Sequence, residues 1–221
     1  MRSFFVSCLL AGVATAAQAG VILQPRSVEV VSGWGKDPTP LIDQSGIPWY
    51  NSGVDDFDAY VANRPFARDG EASVWWSQSD VISGPQTATL DFDLGGTWRI
   101  ESFAFWNILG SYGFDSFDVL VSDDASFTDA KLLGNFTAVQ QPAVDEWGEE
   151  VGNYAQVFEL APITGSFVRL RSTGGWVWEE GFNEIAFEVS PVPEPETYAL
   201  MAGGLTLLAW AQRRRRAATA A

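Results

Sequence analysis

Histidine is absent from all 221 residues. That absence removes Ser-His-Asp and Cys-His nucleophilic catalysis, histidine-ligated transition metals and the usual general base near neutral pH. Cysteine is nearly absent: Cys8 is the only one, and it sits in an apolar N-terminal run. The body of the chain therefore has no disulfide, no thiolate nucleophile and no cysteine-bound zinc. Basic residues are scarce, with 13 Lys and Arg against 28 Asp and Glu. Five of the basic and two of the acidic residues lie in the end segments, which leaves the body between them at a net charge of −18. Such a surface repels nucleic acid and anionic membranes and attracts divalent cations, although acidity also serves solubility outside the cell.

Long apolar runs occur only at the two ends. Arg2 supplies a positive start, Phe4 to Val13 is almost wholly apolar, and Ala17-Gln18-Ala19 gives the small-x-small pattern that signal peptidase requires. Residues 1–19 are expected to be a signal peptide, with the mature chain starting near Gly20. At the other end Pro191-Val192-Pro193-Glu194-Pro195-Glu196 is stiff and extended, since each proline fixes its own φ and restrains the residue before it. A hydrophobic helix follows at about 198–212, shorter than the roughly 20 residues of a stable transmembrane helix. The block Arg213-Arg214-Arg215-Arg216 then holds the C-terminus in the cytoplasm by the positive-inside rule, so the body lies beyond the inner membrane.

The run Val192-Pro193-Glu194-Pro195-Glu196-Thr197, a glycine-containing apolar helix and terminal arginines, in that order, resembles a PEP-CTERM sorting signal spanning 191–221. The resemblance implies recognition through Pro193, Glu194, Pro195 and Arg213 to Arg216 by an exosortase, a membrane enzyme of Gram-negative bacteria that make exopolysaccharide. It also implies an inner-membrane-tethered precursor and a mature form at the cell surface or outside the cell. A plain tail anchor is the alternative.

Residues 20–190 read as one all-β domain. Ser27 to Val31, Thr87 to Leu94, Ile100 to Trp106, Ser116 to Ser122, Gln156 to Leu160, Ser166 to Arg171 and Glu184 to Val189 alternate at period two or form short apolar runs, separated by Gly, Pro, Asn and Asp clusters. A short helix is expected near Asp55 to Ala62. The order of motifs resembles the discoidin-like, galactose-binding-like jelly rolls: Leu41-Ile42-Asp43-Gln44-Ser45-Gly46, Trp75-Trp76-Ser77, Leu90 to Gly95, Phe117 to Asp124, Phe167-Val168-Arg169-Leu170 and Glu184-Ile185-Ala186-Phe187. This implies a β-sandwich of that type. The Gln-Ser insertion before Gly46 and the acidic segment Val144 to Tyr154 depart from the family pattern.

Without histidine or cysteine, the enzymatic option left is a carboxylate pair of the glycosidase kind. Asp55-Asp56, Asp123-Asp124, Glu149-Glu150 and Glu179-Glu180 are read as solvated loop charges. Galactose-binding-like domains often hold a structural Ca²⁺, and the resemblance carries that role to Asp43 and Glu184; otherwise Asp43 caps a turn and Glu184 pairs with an arginine such as Arg169. Trp106 lies in a strand pattern and belongs in the core. Trp34, Trp49, Tyr50, Trp75, Trp76, Tyr112, Trp147, Trp176 and Trp178 fall in Gly- and Asp-rich segments, where an indole can stack on a sugar or plug the end of a sandwich. Trp176, Trp178, Trp76 and Tyr112 are the candidate ligand residues. The reading is a non-catalytic surface or matrix protein that binds extracellular polysaccharide, with an adhesive protein lacking a defined ligand as the alternative and a carboxylate-dependent glycan hydrolase as a distant one.

Overall fold

A computed structural model describes residues 20–35, 37–47, 56–68, 74–78, 87–108, 110, 112–174, 179–192 and 195–219. The signal-peptide expectation falls on 1–19, outside these residues. The described residues of the body include twelve strands: β1 (Val21–Leu23), β2 (Ser27–Ser32), β3 (Trp34–Gly35), β4 (Phe66–Ala67), β5 (Trp75–Gln78), β6 (Thr89–Asn107), β7 (Ser116–Ser122), β8 (Lys131–Thr137), β9 (Pro142–Val144), β10 (Glu150–Tyr154), β11 (Gln156–Gly174) and β12 (Glu179–Pro191). Two helices accompany them, α1 (Phe57–Ala62) and α2 (Pro195–Thr219), with a 3-10 turn at Thr39–Leu41.

The all-β sandwich expected from the sequence is present, and it is built around two long strands. The sequence reads each of β6 and β11 as two strands, with Gly95-Gly96 as the turn that ends the first strand of β6. Instead β6 and β11 stay antiparallel to each other along their whole length, Arg171 opposite Thr89 at one end and Gln156 opposite Phe105 at the other. Gly95, at φ +73°, and register shifts between Glu159 and Ile163 and between Gly165 and Phe167 bend the pair at mid-length. The bend lets one continuous nine-stranded sheet fold over on itself. One half holds β12, β5 and the second part of β6, and the other holds β2, the first part of β6, the second part of β11, β7 and β8.

Period-two alternation decides which side chains meet between the halves. Leu90, Phe92 and Leu94 of β6 face Phe103 and Phe105 from the same strand beyond the bend, with Phe117, Val168, Leu170, Phe182, Ile185 and Phe187 filling the space. Their rings pack edge-on or offset, as between Phe92 and Phe187 (6.2 Å, 63°) and between Phe105 and Phe182 (4.7 Å, 36°). Each such ring contributes about 1.5–3 kcal/mol by burial.

The opposite face of the first half carries a second cluster: Ala104, Trp106 and Ala186 lie under Phe57 and Tyr60 of α1. Asp56 starts α1 by accepting a hydrogen bond from Ala59 N–H (2.7 Å), which agrees with the short helix expected there. Trp106 is fully buried, as expected, and donates its indole N–H to the Pro65 carbonyl (3.1 Å). The acidic segment Val144 to Tyr154 forms most of the hairpin β9–β10, which joins β4 in a small separate sheet. Among the described residues no helix is long and apolar enough to cross a membrane.

Candidate functional site

The bend closes one end of the sandwich, so the start of β6 and its end, Asn107, emerge together at the other end. There β5 pairs with the first residues of β12, setting Gly181 opposite Trp76 and Phe182 opposite Trp75. Gly181 N–H donates to the Tyr112 carbonyl (2.9 Å), and Phe114 N–H donates to the Gly181 carbonyl (3.3 Å). A Cβ at Gly181 would collide with the Trp75 carbonyl, so this three-way junction requires glycine.

The alternation of β5 separates its two tryptophans. Trp75 points inward and is fully buried, which corrects its reading as a loop tryptophan; Trp76 points outward and is only half-buried. Trp76 meets Tyr112 edge to face (5.7 Å, 79°), and Tyr112 remains 46% exposed. Two of the four candidate ligand residues are thus brought together. Trp176 and Trp178 lie outside the described residues, as do Trp49 and Tyr50.

Beside this pair opens a cleft of about 350 Å³ lined by Asn107, Gly110, Gly113, Phe114, Asp115, Ala138 and Gln140. Asn107 shapes its wall by holding Phe114 at both ends, accepting from its N–H (2.9 Å) and donating to its carbonyl (2.9 Å). Gln140 donates to the carbonyls of Ile108 (3.3 Å) and Gly110. With the Asn107 amide spent on Phe114 and the Gln140 side-chain N–H groups on two carbonyls, the exposed Asp115 carboxylate beside Phe114 is the cleft's charged acceptor. That is the chemistry that binds a hydroxyl-rich ring with apolar C–H faces.

Next to Gly181 in β12 lies a residue that sequence reasoning misplaced. Glu180, read as a solvated loop charge, is fully buried on the inner face of β12. Its Oε1 accepts from Ala88 N–H (2.8 Å) and its Oε2 from the Ser172 hydroxyl (2.6 Å), both in the facing half, while its own N–H donates to Ser77 Oγ (3.2 Å). Burial pushes its carboxyl up to about 7, against the opposing pull of the two hydrogen bonds. The other acidic pairs conform better: Asp123, Asp124, Glu149 and Glu150 are exposed, Asp56 is the α1 cap, and Asp55 lies outside the described residues.

The second sequence-derived site lies on the outer face of the same half-sheet. Glu184 is fully buried and accepts from Gln44 N–H (2.9 Å), which brings it next to the Asp43 loop. Burial first, and the Asp43 charge second, raise its carboxyl well above the usual range. Asp43 does cap a turn, accepting from Ser45 N–H (2.8 Å). Arg169, however, is engaged elsewhere, held by both oxygens of Asp91 (2.6 and 2.7 Å) in the other half of the sandwich. Tyr60 adds a buried phenolic oxygen with no hydrogen-bond partner, its acidity suppressed by burial and by the charge of Glu184. Asp43 and Tyr60 thus both lie within electrostatic reach of Glu184; among the described residues no group of three or more histidine, cysteine, aspartate or glutamate side chains could hold a metal.

In the tail, Pro195 opens α2 and Arg213 is exposed near its end, with Arg214, Arg215 and Arg216 in the same helix. Leu200, Leu207, Leu208 and Trp210 are all exposed on it. Pro193 and Glu194 fall outside the described residues.

Residues 191–216 match the PEP-CTERM protein-sorting motif, which marks the chain as an exported, sorted protein. No curated protein matches the chain in sequence. Among solved structures it is similar to chitosan-binding module 1 of a chitosanase/glucanase from Paenibacillus sp. IK-5, at 14% identity over 76% of this chain and 98% of that one, with a TM-score of 0.49. It is similar to the C-terminal domain of a chitobiase from Bacteroides fragilis, at 12% identity over 78% and 99% of the two chains and a TM-score of 0.48. A family 32 carbohydrate-binding module of NanJ from Clostridium perfringens, solved with galactose, is 13% identical over 76% and 98%, with a TM-score of 0.44.

Proposed function

We propose that the protein is a non-catalytic, carbohydrate-binding surface or matrix protein, sorted by an exosortase and holding extracellular polysaccharide at the open end of its sandwich. The observation that carries this reading is the Trp76–Tyr112 pair set beside a polar cleft of about 350 Å³. The half-exposed Tyr112 ring offers apolar surface to a sugar's C–H face, while the exposed Asp115 carboxylate offers hydrogen bonds to ring hydroxyls. Trp76→Ala and Tyr112→Ala should each cost about 0.5–1.5 kcal/mol of binding, roughly two- to twelvefold in Kd. Calorimetric titration with polysaccharide from the producing cells measures it; unchanged affinity in both variants removes this surface from recognition.

In the same reading Asp43 and Glu184 hold a structural Ca²⁺, whose positive charge offsets the burial of Glu184. The tail supplies the sorting function. Replacing Arg213–Arg216 by alanine should leave precursor unprocessed or mislocalised in the native host. A variant with the wild-type mature mass and location would count against exosortase handling.

An adhesive role without a defined small ligand is favoured by one specific feature. Trp147, 78% exposed, stands at the tip of the β9–β10 hairpin on a turn fixed by hydrogen bonds from Trp147 N–H and Glu149 N–H to Asp145 Oδ1 (both 2.9 Å). Loss of cell or surface attachment in Trp147→Ala, with polysaccharide affinity intact, would favour that role.

A further inference from the structure

We propose that Glu180 is the positioning residue of the Trp76–Tyr112 pair, and that a proton on its carboxylate sets how firmly the open end of the sandwich is held. The proposal rests on the reading of that pair as the recognition surface. Glu180 spans the two halves: its side chain reaches Ala88 and Ser172 on one, and its backbone is bonded to Ser77 on the other. The next residue, Gly181, is paired with Trp76 and bonded to the Tyr112 carbonyl. Any shift of Glu180 is therefore passed directly to both aromatic residues.

The hydrogen bonds around Glu180 support two arrangements. When the group is ionised, Ala88 N–H and the Ser172 hydroxyl both donate to it. A buried carboxylate with two donors is poorly satisfied, because its oxygens offer about four acceptor positions. When the group is protonated, Oε1 keeps the Ala88 N–H, and Oε2 donates its new hydrogen to Ser172 Oγ. The Ser172 hydroxyl hydrogen then turns to the Gly174 carbonyl, which lies 3.5 Å from Oγ. Both oxygens are then satisfied without a buried charge, and the end of the sandwich is held closed.

The described neighbours of Glu180 supply no compensating cation. Trp75, Trp76 and Ser77 of β5 carry no charge, Arg169 and Arg171 are bound outward to Asp91 and Asp118, Tyr112 and Asp115 are exposed, and Glu184 lies on the other face of β12. Burial places the change of state near pH 7. Ionisation above that pH draws water to the carboxylate and loosens the grip of Gly181 on Trp76 and Tyr112.

The full-length protein is followed by the indole N–H resonance of Trp76, assigned with Trp76→Phe, from pH 5 to 8.5. The proposal expects a single titration with a midpoint near 7. The titration should be absent in Glu180→Gln, whose amide copies the protonated arrangement. In Ser172→Ala both forms lose a partner, but the charge-assisted bond to the carboxylate is the stronger of the two, so the midpoint should move up. A resonance that does not titrate, or titrates alike in Glu180→Gln, overturns the proposal; should Glu180→Gln fail to fold, an unmoved midpoint in Ser172→Ala overturns it. Extracellular polysaccharide should bind the wild type several-fold more weakly at pH 8.5 than at pH 5.5 and bind Glu180→Gln equally at both. A wild type that binds no polysaccharide while Trp76 titrates defeats the recognition reading and leaves the positioning role of Glu180 intact.

Discussion

In the presence of a chelator, the protein should lose about 3 kcal/mol of stability through Glu180 alone as pH rises from 4.5 to about 7. The ordinary value for the group is 4.5, and burial lifts it to about 7 in the fold. Between these limits the folded chain keeps a proton that the unfolded chain has released. Stability from this source is therefore complete below 4.5, falls across the window and is gone above about 7. Glu184, raised by burial and by Asp43, extends the fall to higher pH. Urea unfolding at pH 4.5, 5.5, 6.5 and 7.5 measures the slope, and comparison with Glu180→Gln isolates the Glu180 share. The variant should be more stable than wild type at pH 7.5 by about the same 3 kcal/mol. Parallel slopes in the two proteins would mean that Glu180 is not buried in the fold.

Calcium should reverse the Glu184 part of that loss. A cation that binds only the folded state adds RT ln(1 + [L]/Kd), about 2.7 kcal/mol at a hundredfold excess over Kd and about 4.1 kcal/mol at a thousandfold. The gain should be larger at pH 7.5 than at pH 5, because the ligand is the ionised form of Glu184 and a proton competes with the metal for it. Melting in millimolar Ca²⁺ against chelator tests this, with Asp43→Ala and Glu184→Gln as controls. Both variants should lose the calcium response. Glu184→Gln should also be the more stable protein in chelator, since it removes a buried charge. An equal calcium shift in wild type and Asp43→Ala would remove the site.

Much of the fold is written in local alternation. Leu90-Asp91-Phe92-Asp93-Leu94 and Phe117-Asp118-Val119-Leu120-Val121 each show which side chains enter the core, and the structure buries Leu90, Phe92, Leu94, Phe117, Val119 and Val121 accordingly. The length of β6 and β11 was not legible, because Gly95 serves a hairpin turn and a bend equally well and only the pairing of β6 with β11 decides between them. Trp75 and Trp76 look alike in sequence, and the pleat of β5, fixed by its pairing with β12, sends one in and the other out.

Charge type was the misleading signal at Glu180. A pair of glutamates after a glycine- and tryptophan-rich segment reads as solvated, yet Ala88, 92 residues away, supplies the backbone donor that admits Glu180 to the interior. No local pattern announces such a contact. Asp43 and Glu184 became visible only through the order of family motifs, since Gln44 and Glu184, whose hydrogen bond brings the Asp43 loop to β12, stand 140 residues apart.

Chemical-shift mapping of the isotopically labelled protein, titrated with the polysaccharide of the producing cells, tests the proposed function most directly. Perturbations should centre on Trp76, Tyr112, Gly113 and Asp115 at the open end. They should spare a second cleft, about 200 Å³, lined by Glu29, Asp91, Phe127 and Phe167 among others. Shifts confined to Phe127 and Phe167, or to Trp147 on the β9–β10 hairpin, or no shifts at saturating polysaccharide, would contradict recognition at the Trp76–Tyr112 surface.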